Sequence, residues 1–132
     1  MSADTMPTGN ATIRVTAVPA DTNVYGDIFG GWLMAQMDLA ASAIASRHSG
    51  GRAVTIAVDG MTFHRPVFVG DEVSVFATLQ EVGRSSMKVA VATWRRDRHS
   101  EEANLVTRAR FTFVAIGQDR RPRMVKPLVA AA

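Results

Sequence analysis

Residues 19–38 read PADTNVYGDIFGGWLMAQMD, and this stretch concentrates polar and glycine residues just where a long apolar segment begins. Asp27 precedes a glycine pair, Gly30 and Gly31, by about one helical turn. Each glycine costs a helix ~1 kcal/mol relative to alanine, so helix propensity does not account for the pair. A chemical use does. The first N–H groups of a helix have no intrahelical acceptor and carry the positive end of the dipole, so they can hold a developing oxyanion. Glycine lets a carbonyl approach them closely, and a nearby carboxylate can activate water as a general base or attack as a nucleophile. Asp27, Gly30 and Gly31 are therefore the candidate catalytic group, suited to acyl transfer, with Asn23 in the same segment. Each also has a plainer reading: a helix N-cap for Asp27, close helix–strand packing for the glycines, and a turn bonded to its own backbone for Asn23.

The remaining composition narrows the chemistry. Cysteine is absent, so the chain offers no thiolate nucleophile, disulfide or sulfur metal ligand. His48 reads as a helix C-terminal cap and His64 as a strand-end residue; no two histidines have ligand spacing, and no metal site is expected. Asp38, in the apolar segment, suggests a polar subunit contact or an arginine partner. Arg95, Arg96, Arg98, Arg108, Arg110, Arg120, Arg121 and Arg123 cluster late in a chain whose net charge is only +3. They read either as a solvated basic face or as an anion site. No zinc finger, stacking motif or basic recognition helix accompanies them, which favours a phosphorylated small molecule over nucleic acid. No apolar run approaches the ~20 residues of a membrane helix, and the first ten residues lack the pattern of a signal peptide, so a cytoplasmic protein without membrane association is expected.

The elements that must position the candidate group follow from periodicity. Residues 11–18 alternate as a half-buried strand, with Ala11, Ile13, Val15 and Ala17 on one face. A turn-rich loop over 19–26 leads to a helix over 29–48, apolar nearly all round apart from Asp38, Ser42 and Ser46, and so expected to be buried nearly all round. His48 and then Gly50 and Gly51 end it. Four strands follow: one from Val54 to about Phe63 with Val54, Ile56 and Val58 sharing a face; one carrying Val73, Val75, Ala77 and Leu79; one carrying Met87, Val89 and Val91 after a turn at 82–85; and one over 105–116 with Phe111 and Phe113 inward. With 132 residues, 47% of them apolar, the chain suits a single domain, its core at about 11–117 and a loosely held tail over 118–132. One long apolar helix with one antiparallel sheet is compact when the sheet curls around the helix, an α+β hotdog arrangement.

Three runs, NVYGDIFGGWLMAQMD, AVTIAVDGMTFHRPVFVGDEV and VGRSSMKVAVATW, occur in that order within residues 13–116. Together they closely resemble the acyl-CoA thioesterases of the hotdog superfamily, particularly the bacterial YciA-type branch. The resemblance implies that Asp27 is the catalytic carboxylate, with Asn23 beside it and Gly30 and Gly31 next to the thioester of an acyl-CoA substrate. It further implies that coenzyme A runs along a subunit interface near the 83–86 turn, so that Arg84, Ser85 and Ser86 bind substrate, with Thr62 and Phe63 as further candidate substrate-binding residues. No cofactor is required. A homo-oligomer of dimers, a trimer of dimers making a hexamer, is expected, with the 59–63 segment of one chain beside the Asp27 loop of its partner. Tyr25 and His64 depart from the small and apolar residues usual at those positions, which leaves the acyl-chain preference open. A hydratase or dehydratase of the same fold would need a histidine near the start of the helix, and none precedes Arg47. A non-catalytic acyl-CoA-binding module could dispense with Asp27.

Overall fold

The computed structural model describes residues 5–129; the start of the polar lead-in and the final alanines of the tail lie outside them. Strand β1 (Ile13–Thr16) is followed by a single 3-10 turn (Pro19–Asp21), helix α1 (Gly30–Ser49), and strands β2 (Ala53–Asp59), β3 (Glu72–Val82), β4 (Ser86–Arg96) and β5 (Ala103–Ala115). The strands form one antiparallel sheet in the order β1-β3-β4-β5-β2, curled around α1. Alternation decides what faces inward. Val73 and Val75, Met87, Val89 and Val91, and Phe111 and Phe113 are buried against Leu33, Met37, Ala40, Ala41 and Ala45 of the helix. Each large side chain so buried removes enough apolar surface from water to contribute roughly 2–3 kcal/mol.

Helix α1 begins after Phe29, whose backbone is extended, and ends at Gly50, whose φ of 72° lies in the left-handed region that glycine adopts without strain. Arg47 and His48 occupy the last turn, at the negative end of the dipole. The His48 ring bonds the Lys126 carbonyl oxygen through Nε2 at 2.9 Å. Within one chain the helix is buried on one face, not nearly all round. Leu39 remains 59% exposed and Met34 40%, because the sheet curls around one side of α1. Among the described residues Asp38 pairs with no arginine; the Thr55 hydroxyl of β2 donates to its Oδ1 at 2.5 Å.

Strand β2 also differs from the simple alternation. It stops at Asp59, short of Phe63, as the chain turns through Gly60 with a positive φ. Its register to β5 skips Ile56: Thr55 faces Phe113, and Ala57 faces Thr112. A β-bulge at Ile56 therefore puts Val54, opposite Val114, and Val58, opposite Phe111, on different faces.

The tail is held more firmly than its sequence suggests. Arg123 donates from Nε to the Ile116 carbonyl, from Nη1 to the Ser49 carbonyl at 2.8 Å, and from Nη2 to the Arg52 carbonyl and the Ser49 hydroxyl. Its guanidinium thus satisfies carbonyls left free at the end of α1 and around the start of β2. Two residues on, the Val125 amide donates to the Arg84 carbonyl at 2.8 Å, and Val125 is buried. Hydrogen bonds to a charged group contribute more than neutral ones, ~1.5–3 kcal/mol, so Arg123→Met should lower unfolding free energy in urea by about 2 kcal/mol. In the same variant the Val125 amide should exchange with deuterium much faster, while amides in the centre of β4 keep their protection relative to global unfolding.

Candidate functional site

The loop before α1 is shaped by Asn23. Its Oδ1 accepts hydrogen bonds from the Tyr25 amide at 2.8 Å and the Asp27 amide at 3.1 Å, and its own amide donates to the Asp27 carbonyl at 2.7 Å. Gly26, with φ of 87°, lets the chain turn back within this ring. The turn reading of Asn23 is therefore what the structure shows, and the turn carries Asp27 at its exit. The N-cap reading of Asp27 is not: the cap position is Phe29, with no side-chain cap hydrogen bond. Asp27 is exposed, and among the described residues no donor binds its carboxylate.

Beyond Asp27 the chain is pinned on both sides. The Ile28 amide donates to the Val67 carbonyl at 3.1 Å, and the Phe29 amide to the Asp21 carbonyl at 3.3 Å. Ile28 itself is buried. At the helix start the amides of Trp32 and Leu33 already turn to the Phe29 carbonyl. The donors left for a ligand are then the N–H groups of Gly30 and Gly31, which among the described residues have no acceptor. A side chain at Gly30 would meet the Phe63 ring at 3.4 Å, and one at Gly31 the Phe29 ring at 3.1 Å, so each glycine lies against an aromatic ring. Phe63 comes from the same chain, so its contact with the helix start does not require a partner. Thr62 lies exposed in the same 60–66 loop. A groove of about 910 Å³ by His64, Arg65 and the start of β5 is a separate feature and is not lined by Asp27.

Arg84, Ser85 and Ser86 lie elsewhere. They form the β3–β4 turn, where the Gly83 amide donates to the Ser86 carbonyl and the Ser85 carbonyl accepts from the Ala115 amide. With the Arg84 carbonyl bound to Val125 and Arg123 bound to Ser49, this turn belongs to the C-terminal end of α1. Asp27 belongs to the N-terminal end. A 20-residue helix separates them, roughly 30 Å at 1.5 Å per residue. One chain therefore unites Asp27, Asn23, Gly30, Gly31 and Phe63, and leaves Arg84, Ser85 and Ser86 at its other end. Arg84 is exposed and, among the described residues, its guanidinium has no partner.

Most of the other late arginines with partners serve structure. Arg95 pairs with Asp71 at 2.8 Å, Arg96 with Glu72 at 2.6 Å, and Arg123 holds the tail. Sequence reasoning passed over Asp71, which is 2% exposed. Its signal was a carboxylate inside the apolar, glycine-containing run VFVGDEV.

Comparison with known proteins bears on this geometry. The sequence profile of the thioesterase superfamily matches residues 25–102, from the Asp27 loop to the end of β4 and just beyond. An uncharacterized acyl-CoA thioester hydrolase of Zymomonas mobilis is 53% identical over 92% of this chain and 82% of its own length. The acyl-CoA thioester hydrolase YciA of Salmonella typhimurium is 43% identical over 91% of this chain and 92% of its own. Among solved structures, a hexameric thioesterase from Yersinia pestis matches with a TM-score of 0.85 at 43% identity, covering 92% of this chain and 98% of that one.

The two hydrogen bonds to Asn23 Oδ1 give a direct test of how the loop is held. Asn23→Ala removes an acceptor shared by two amides, and deuterium exchange at Tyr25 and Asp27 should accelerate at least tenfold with the global melting temperature little changed. Asn23→Asp keeps the acceptor and should restore most of the protection.

Proposed function

The chain belongs to the thioesterase superfamily, as an acyl-CoA thioester hydrolase of the YciA type, and from that premise we propose that Asp27 is its catalytic carboxylate and that its active site is shared between two subunits. The observation that carries the catalytic reading is the closeness in the chain of a carboxylate and two helix N–H groups that, among the described residues, have no hydrogen-bond partner. The thioester carbonyl oxygen binds the Gly30 and Gly31 amides, where the negative charge of the tetrahedral intermediate is stabilised as it forms. Asp27 takes a proton from water while the water oxygen bonds to the thioester carbon. Collapse breaks the carbon–sulfur bond, the thiolate of coenzyme A leaves and takes the proton held by Asp27, and the free acid is released. Asn23 positions Asp27. Thr62 and Phe63 line the acyl side, and no step calls for a cofactor.

Distance argues for two subunits. From the thioester sulfur of an acyl-CoA to its nearest phosphorus is about thirteen bonds, roughly 16 Å at the advance of an extended chain. That is about half the separation of Asp27 and Arg84 within one chain, so the two cannot hold both ends of that arm together there. The free edge of β2 offers the remedy. It exposes Val54, Ile56 and Val58, and an open strand edge is satisfied by pairing with a second copy. Antiparallel β2–β2 pairing about a two-fold axis turns the partner end for end. The Arg84 turn of one subunit then approaches the Asp27 loop of the other, and Arg84, Ser85 and Ser86 can meet the phosphates while Asp27 meets the thioester. Three such dimers make the hexamer, a count supported by hexameric relatives.

Asp27→Asn should lower kcat at least a thousandfold on a short-chain acyl-CoA with an unchanged circular dichroism spectrum and melting temperature, since the group is exposed and holds nothing else. Retention of most of the rate would remove Asp27 from the chemistry. Arg84→Ala should raise KM for acyl-CoA about tenfold or more and leave KM for the corresponding acyl-pantetheine unchanged. Mixed hexamers of Asp27→Asn and Arg84→Ala chains, made by refolding together, should recover activity at low substrate because half of the sites in a mixed dimer are intact. Absence of recovery would confine the site to single chains.

A further inference from the structure

Asp71 is the most deeply buried carboxylate among the described residues, and three N–H groups converge on it. Arg95 donates from Nε to Oδ2 at 2.8 Å and from Nη2 to Oδ1 at 3.3 Å, and the Phe68 amide donates to Oδ2 at 2.9 Å. The guanidinium also donates from Nη1 to Asn104 Oδ1 at 3.1 Å and lies over the Phe68 ring, 5.8 Å from its centroid. The hydrogen bond to Asp71 raises the Arg95 pKa above its usual value, against the opposing effect of burial. A buried ion pair of this kind is a poor device for stability alone, because well-packed apolar residues of similar volume often do as well or better. Its placement suggests another purpose.

The turn that Asp71 closes is joined directly to the catalytic loop. The Asp71 amide donates to the Phe68 carbonyl at 3.0 Å, and its carbonyl accepts from the Ala17 amide at 3.0 Å, so turn, β1 exit and β4 are fastened together. Val67, immediately before this turn and 1% exposed, presents its carbonyl to the Ile28 amide at 3.1 Å. Ile28 is the residue after Asp27. We propose that Asp71 and Arg95 are positioning residues for catalysis: by locking the 68–71 turn to β4 they fix the Val67 carbonyl, and through it the location of Asp27 relative to the Gly30 and Gly31 amides. The proposal rests on the reading of Asp27 as the catalytic carboxylate. It goes beyond that reading in giving a charge pair remote from substrate control over kcat. A displacement of ~1 Å at a reacting group can cost a hundredfold in rate, so even a small relaxation of the turn is visible in turnover.

The neighbouring pair Glu72 and Arg96 supplies the control, since it joins the same two strands one residue further on without touching the turn. Asp71→Asn should lower kcat on a short-chain acyl-CoA tenfold or more, change KM less than twofold, and accelerate deuterium exchange of the Ile28 amide. Glu72→Gln should leave kcat and Ile28 exchange as they are. Asp71→Leu alone strands a buried cation and should melt much earlier than the wild type. The double variant Asp71→Leu/Arg95→Met removes both charges and should recover most of that melting temperature without recovering kcat or Ile28 protection. Recovery of kcat together with melting temperature in the double variant, or an equal loss of kcat in Glu72→Gln, would overturn the proposal and reduce the pair to a stabilising one. Asp27→Asn assayed alongside separates the two levels. If it is inactive while the Asp71 variants keep their kcat, only the positioning role falls; if it keeps its rate, both readings fall together.

Discussion

The close approach of α1 to the sheet is the constraint on which the rest depends. Ala40, Ala41 and Ala45 present little beyond backbone to the strands, so the helix can lie near the curled sheet while Met87, Phe111 and Phe113 from the strands, with Leu33 and Met37 from the helix, fill the space that remains. That packing determines where the helix begins. It sets the Gly30 and Gly31 amides at one end of the curl, beside Phe63 and the Val67 carbonyl, and delivers the end of the helix to the β3–β4 turn.

Charge is distributed along the same axis. The N-terminal end of α1 is bordered by the paired ions of Asp71 with Arg95 and Glu72 with Arg96, which tie strand ends together and leave Asp27 without a cationic partner among the described residues. The opposite end holds cations used differently: Arg123 spends its donors on backbone carbonyls, and Arg84 stands exposed at the turn. A substrate with a neutral thioester at one end and phosphates at the other suits this division, provided that the two ends come from different chains.

Much of this was legible in the residues because it rests on short-range pattern. Alternation located β3, β4 and β5 and the inward positions of Val73, Val75, Met87, Val89, Phe111 and Phe113, and the glycines after Ser49 marked the end of α1. The loop of Asn23 and Asp27 stood out because turn-forming residues adjoin an apolar helix. What escaped depends on long-range contacts. The one-sided burial of α1 reflects how far a five-stranded sheet reaches around a helix. The hold on the tail comes from Arg123 reaching carbonyls more than sixty residues away in sequence, and from Val125 and Lys126 bonding to Arg84 and His48. Asp71 is recognisable only once β4 has brought Arg95 beside it, and the opposite placement of Asp27 and Arg84 appears only when the length of α1 is set against the topology.

The sheet departs from regular pairing at Ile56, Gln80 and Val106, each an extra residue set against an uninterrupted partner strand. At Val106 the departure is put to use, since its carbonyl accepts the His64 amide at 2.8 Å and so ties the 60–66 loop to β5. The three sites also govern how the length of this chain can drift over evolution. Inside a paired strand the side chains follow a two-step frame, and losing an ordinary residue turns every later side chain of that strand inside out. Losing a bulged residue straightens the strand locally while Thr55 and Ala57, or Leu79 and Glu81, become consecutive against partners that are already consecutive, and the frame survives. These are the places where a codon can be lost or gained with the inner and outer faces of the sheet still correctly assigned, at the expense of curvature in β2 and β3 and, in β5, also of the buried Val106 side chain and its bond to His64.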